Sequence, residues 1–171
     1  MSASFLGIDP GKSGAIACVD ERGEVLWSER TPLIGKEFDL PQMAELIRDA
    51  APRFCLIEKV SAMPGQGVTG MFHFGEGYGM WQGILTALAV PYAAIHPKEW
   101  HRAVGLSLPA KTPGMSPGAR TAEIKAATVA QALRRWPGLA VDLKHKADWG
   151  RADAMFLAYA AGESSANRWA G

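Results

Sequence analysis

The sequence predicts an α/β fold: a mixed five-stranded sheet with helices on both faces. Three observations carry that expectation. Short apolar runs of strand length follow one another near the N-terminus. Later apolar runs alternate with segments of helical periodicity. Hydrophobic residues make up 48% of a 171-residue chain, enough to bury the core of one domain of ordinary size. The expected order is three strands, then helix, strand, helix, strand and two helices, so the early strands form a meander and the later ones are joined by crossovers.

Each element has a local reason. Residues 4–9 are apolar and end in Asp9, Pro10 and Gly11, a turn signal. Residues 15–19 form a second strand, and Asp20 to Gly23 turn tightly into a third at 24–28. Pro41 opens a helix to about Ala51, with Met43, Leu46 and Ile47 on one face. Residues 54–57 are a short apolar run, expected as a buried parallel strand that ends at Glu58. Residues 60–71 are rich in Gly, Pro and Met and read as a loop, followed by a helix over 72–89 and a strand over 91–95. Three prolines and three glycines mark 105–118 as an irregular connection. A helix over 119–135 stops at Pro137 and Gly138. The last helix runs from about Gly150 to Ala161 and leaves 162–171 as a loose tail.

Cys18 and Cys55 sit inside apolar runs without C-x-x-C spacing and are expected as buried free thiols. No uncharged apolar stretch reaches membrane-spanning length. The first residues lack the basic start and apolar run of a secretion signal, so a cytoplasmic protein is expected (host cytoplasm if phage-encoded). The net charge of +1 conceals an asymmetry: residues 1–58 carry six Lys/Arg against ten Asp/Glu, and residues 59–171 carry twelve against seven. An acidic half beside a basic half suits a carboxylate metal site next to a phosphate-binding face, although surface scatter produces the same count.

Three acidic residues stand where a core element meets solvent. Asp9 closes the first strand, Glu58 ends the fourth, and Asp153 lies in the first turn of the last helix. Taken singly they read as a turn residue, a surface charge and a helix-dipole acid. If strands one and four are parallel neighbours, Asp9 and Glu58 emerge side by side, and carboxylates buried together call for a cation. Hard oxygen donors select Mg²⁺ or Mn²⁺. Two such ions about 4 Å apart suit phosphodiester hydrolysis.

The same residues carry a family resemblance. Gly7, Ile8, Asp9, Pro10 and Gly11, followed by Ser13, Gly14 and an apolar strand, resemble the opening motif of the RuvC-type Holliday junction resolvases. Leu56, Ile57 and Glu58 resemble their second motif, and residues 152–158 around Asp153 their last. The resemblance implies an RNase H-like fold, a dimeric Mg²⁺-dependent nuclease of four-way DNA junctions, and metal-ligand roles for Asp9, Glu58 and Asp153. The family places a fourth ligand three residues before the last Asp, where this chain has Gly150. Asp148 is the expected substitute, otherwise a helix cap. His145 is a candidate ligand or acid/base, otherwise a solvated loop residue. Other departures make the chain look closer to phage-type RuvC-like members.

Segment 98–146 carries nine Lys/Arg against three Asp/Glu, either a phosphate track along duplex arms or solvated helix faces. Expected DNA contacts are Lys12 and Ser13 beside the metal site, Lys59, and Lys111, Arg120, Lys144, Lys146 and Arg151 farther along. Met63, Phe72 and Phe74 are candidate wedges against bases, otherwise packing residues. Gly75, Gly79 and Gly83 recur every four residues and admit a close backbone, that of the sheet beneath or of a second subunit. The resemblance implies a homodimer through this helix. Three alternatives stand beside the resolvase: a nuclease of the same fold for other branched DNA or RNA–DNA hybrids, a non-catalytic junction-binding protein, and an actin-like ATPase fragment, which the length disfavours.

Overall fold

The computed structural model of the chain describes residues 3–59 and 68–165. Strands β1 (Ser4–Asp9), β2 (Ala15–Asp20) and β3 (Val25–Arg30) form an antiparallel meander. A two-stranded ribbon, β4 (Leu33–Ile34) and β5 (Glu37–Phe38), leads into α1 (Leu40–Ala50). Then come β6 (Phe54–Glu58), α2 (Val68–Ala87), β7 (Tyr92–Ile95), α3 (Pro97–Ala103), α4 (Pro117–Arg135) and α5 (Trp149–Ser165). The five-stranded sheet has the order β3-β2-β1-β6-β7. β1 and β6 are parallel neighbours in which Gly7 pairs with Leu56 and Ile8 with Ile57. β6 and β7 are parallel as well, with Glu58 opposite Ile95.

The two-residue alternation of a strand assigns the sheet its two cores. Leu6, Ile8, Ile16, Cys18, Cys55 and Ile57 are buried with Met43 and Ile47 of α1 and Trp81 and Leu85 of α2. Phe5, Ala17, Val19 and Leu56 are buried on the other face with Val129 and Ala132 of α4 and Met155 and Leu157 of α5. By that alternation Asp9 falls on the face of Phe5 and Gly7, and Glu58 on the face of Leu56. Both carboxylates therefore lie on the α5 side, at the C-terminal ends of two parallel strands. Cys18 and Cys55 are buried free thiols.

Several boundaries differ from the sequence expectation. α2 begins at Val68, within the segment read as a loop. α3 occupies a stretch that showed no pattern, because seven residues are too few to reveal a helical period. It starts on Pro97 at its first positions, and the Glu99 side chain accepts a hydrogen bond from the His96 backbone N–H at 3.1 Å. α4 begins two residues early because Ser116 caps it, accepting from the Ala119 N–H at 3.2 Å. α5 continues to Ser165, past the expected stop at Ala161, while residues 166–171 of the expected tail lie outside the described residues. Among the described residues, no helix is long and apolar enough to cross a membrane.

α5 lies directly across β1. A Cβ on Gly7 would overlap the backbones of Ala154 and Ala158 and come within 2.7 Å of the Leu157 carbonyl carbon. Backbone cannot yield there as a flexible side chain could. Gly7→Ala is therefore expected to cost about 3 kcal/mol or more, read as a lowered urea midpoint, whereas Gly118→Ala, in open space within α4, is expected to lose nothing.

Candidate active site

α5 brings the third acidic residue to the first two. Asp153 immediately precedes Ala154, which presses on Gly7, so its carboxylate is delivered to the end of β1. Asp9 is 6% exposed and Asp153 8%, and Glu58 is half-buried. A fourth residue completes the group. Lys125 of α4 places its Nζ 3.3 Å from Asp153 Oδ2 and 3.6 Å from Asp9 Oδ2. Trp100 of α3 is fully buried and donates its indole Nε1–H to Glu58 Oε2 at 2.8 Å. Thr128, one turn after Lys125, is fully buried; its hydroxyl donates to the Ile124 carbonyl at 3.1 Å and, close to Asp153, opposes the rise of that carboxyl.

The electrostatics follow from this packing. Burial raises the Glu58 carboxyl to about 8, and the charges of Asp9 and Asp153 push in the same direction against the Trp100 hydrogen bond. Burial raises Asp153 to about 7 against the pull of Lys125. Asp9 is raised for the same reason and is likewise opposed by Lys125. Burial draws Lys125 down, but Asp9, Asp153 and Glu58 together hold it above its ordinary value, as a charged ammonium. The donor set, three crowded and desolvated carboxylates, fits a hard divalent cation in chemistry. In spacing it fits the ammonium that lies among them: among the described residues, no three Asp, Glu, His or Cys side chains close on one ion as they stand.

The other expected site residues are distributed differently. Asp148 stands in a separate network, not with the trio. Its Oδ1 accepts from Arg30 Nε at 2.7 Å and lies 3.7 Å from Arg151 Nη1. The Arg30 hydrogen bond holds its pKa below the ordinary value. Arg151, expected on DNA, is spent internally. It donates to Ser28 Oγ and the Ser28 carbonyl, and to the carbonyl and side chain of Asp142, at 2.8–3.1 Å. Asp148 and Arg151 thus clamp the start of α5 to β3. Gly150 has its own reason: a Cβ there would sit 2.8 Å from the Ser13 carbonyl oxygen and 3.2 Å from Asp9 Oδ2. The β1–β2 turn fills the space that a fourth ligand's side chain would need. His145 is exposed, and its carbonyl accepts from the Asp148 N–H.

Among the expected DNA contacts, Lys12 donates to the Lys36 carbonyl at 2.6 Å and lies over the Phe38 ring, tied to the ribbon. Arg120 is similarly engaged, with the Ala110 carbonyl and Glu123. Ser13, Lys59, Lys111, Lys144 and Lys146 are exposed, Lys146 over the Trp149 ring. Phe72 is 67% exposed, whereas Phe74 lies against Gly11, where a Cβ would meet its ring at 3.1 Å. Met63 lies outside the described residues. Gly75, Gly79 and Gly83 do not meet the sheet: nothing among the described residues stands within 4 Å of a Cβ built on any of them.

Sequence reasoning missed Lys125 and Trp100 as site residues. A signal existed for Lys125, which shares a helical face with the buried Thr128, Val129 and Ala132. A lysine on an apolar stripe either carries its head out to water or meets an anion inside.

The raised carboxyls make the metal-free fold pH-dependent. Glu58 and Asp153 are protonated more readily folded than unfolded. Their contribution is full below the unfolded values, near 4, and is lost as pH rises through about 7 and 8. Thermal melting of metal-free protein is expected to fall over that range. Glu58→Gln, neutral at every pH, is expected to flatten the slope and to melt higher than wild type above about pH 8.

Solved structures share this architecture. T. thermophilus RuvC in complex with a Holliday junction substrate superposes with a TM-score of 0.65, over 96% of this chain and 95% of that one, at 16% sequence identity. A second Thermus thermophilus RuvC structure gives 0.64, covering 95% of each chain at 15% identity. No family model matches the sequence, and no curated protein matches it significantly. At this identity the likeness concerns the backbone: the chain has an RNase H-like fold similar to that of RuvC.

Proposed function

We propose that the chain is a single-domain, divalent-metal-dependent DNA endonuclease, active in the cytoplasm on branched DNA and above all on four-way junctions. The observation that carries this reading is the convergence of Asp9, Glu58 and Asp153 at the ends of β1 and β6 under α5, on a fold similar to that of a protein solved with a Holliday junction. The three carboxylates are the proposed holders of Mg²⁺, or Mn²⁺ in its place, with two ions per site. Bound there, the metal supplies activation of water and charge stabilisation at the leaving oxygen.

The chain's own residues do the remaining work. Trp100 fixes the Glu58 carboxylate through its N–H, so one oxygen keeps a constant direction. Asp148, clamped by Arg30 and Arg151, holds the N-terminal end of α5 and with it Asp153. Ser13 and Lys59 flank the site, and exposed Lys111, Lys144 and Lys146 are proposed to meet phosphates. Phe72 is the described aromatic residue exposed enough to stack on a base. A four-way junction has two-fold symmetry, and two sites are needed to cut it symmetrically. The open face of Gly75, Gly79 and Gly83 is the proposed contact between two copies.

Two experiments test the reading. Wild type with Mg²⁺ is expected to cleave a labelled four-way junction faster than duplex, flap or RNA–DNA hybrid substrates. Asp9→Asn is expected to bind the junction and to lose at least about a hundredfold in rate. Binding without cleavage by both proteins would leave a junction-binding protein instead. Light scattering is expected to give a dimer for wild type and a monomer for Gly79→Leu; a wild-type monomer at micromolar concentration would remove the two-fold part of the proposal.

A further inference from the structure

The ammonium at the site is the most unusual feature of the molecule. Lys125 reaches Asp9 and Asp153 from a different helix, at 3.6 and 3.3 Å, and lies between two carboxylates that are themselves nearly inaccessible. A cation in that place relieves the repulsion that would otherwise oppose bringing α5 onto the end of β1. The same two carboxylates are among those that would hold a divalent ion, and the ion would need that space. Two positive groups cannot share it.

We propose that Lys125 is a tethered counter-ion that holds the cation position between Asp9 and Asp153 and must withdraw before a divalent ion can enter. The inference rests on the metal-dependent reading above. Three observations carry it. Asp9 and Asp153 each turn an Oδ2 toward the same ammonium, so the two carboxylates are arranged about it. The Lys125 side chain remains 31% exposed, so it is not sealed within the core as Asp9 and Asp153 nearly are. Among the described residues its ion pairs are with Asp9 and Asp153, and a flexible four-carbon stem lets it leave without moving α4. Lys125 thus lets the carboxylate trio fold in the absence of metal, at the expense of metal affinity.

Calorimetric titration of Mn²⁺ into the metal-free full-length chain tests this. Lys125→Met, which keeps the stem and removes the charge, is expected to bind Mn²⁺ at least about tenfold more tightly than wild type, with Asp9→Asn as the weakened control. Equal or weaker binding by a variant whose circular dichroism matches wild type would overturn the proposal while leaving the metal reading intact. Absence of Mn²⁺ binding by wild type and variant alike would overturn both. Wild type alone provides a second measurement that does not depend on the variant's folding. Mg²⁺ is expected to raise acetylation at Lys125 several-fold relative to exposed Lys98 and Lys144, read by mass spectrometry. An unchanged ratio in Mg²⁺-bound protein would show that the amine stays in place, and would overturn the withdrawal.

Discussion

The close approach of α5 to β1 at Gly7 is the constraint on which both the fold and the site depend. Only a residue without a side chain lets the backbones of Ala154 and Ala158 lie directly on the strand. That contact sets the height of the helix above the sheet for the whole α5 core, where Ala154, Met155, Leu157 and Ala158 are fully buried. It also places Asp153, the residue just before the first point of contact, beside Asp9 at the strand's end. Packing and chemistry are thus set by one short distance.

The same approach creates an electrostatic difficulty. Three carboxylates come together on one side of the sheet, two of them almost wholly removed from water, and each has its pKa raised. Natural folds carry such groups where binding or catalysis requires them, at a cost in stability. Here that cost is offset within the chain. Lys125 answers Asp9 and Asp153, and the Trp100 indole answers Glu58. A second, independent network of Asp148, Arg30 and Arg151 joins the start of α5 to β3. The two networks divide the labour: one surrounds the buried carboxylates, the other keeps the helix that carries one of them from shifting.

This division explains which parts of the site were legible in the sequence. Asp9 and Glu58 are readable because each ends a strand whose pattern is strong, and parallel pairing of those strands leaves them neighbours on one face. Asp153 is readable because an acid in the first turn of an apolar helix is conspicuous. The sequence reads Asp148 as the oxygen donor that replaces Gly150 and Arg151 as a DNA contact. Their actual partners, Arg30 and Ser28, are more than a hundred residues away, and no local pattern announces such pairs. Lys125 reads as part of a basic track because a lysine on an amphipathic helix is ordinarily solvated; only its register with Thr128, Val129 and Ala132 sets it apart.

By itself, then, the sequence determined a mixed five-stranded sheet with helices on its faces, and the three acidic residues at the ends of its elements; the β1–β6 pairing that joins two of them was a condition the structure supplied. Periodicity and turn chemistry are local properties, written in neighbouring residues. Only the tertiary structure decided what surrounds those carboxylates: the Lys125 ammonium and the Trp100 indole beside them, the arginine clamp on Asp148, and the turn backbone that leaves Gly150 no room for a side chain. Each of these depends on a distance between residues far apart in the chain, and such distances exist only once the helices have settled onto the sheet.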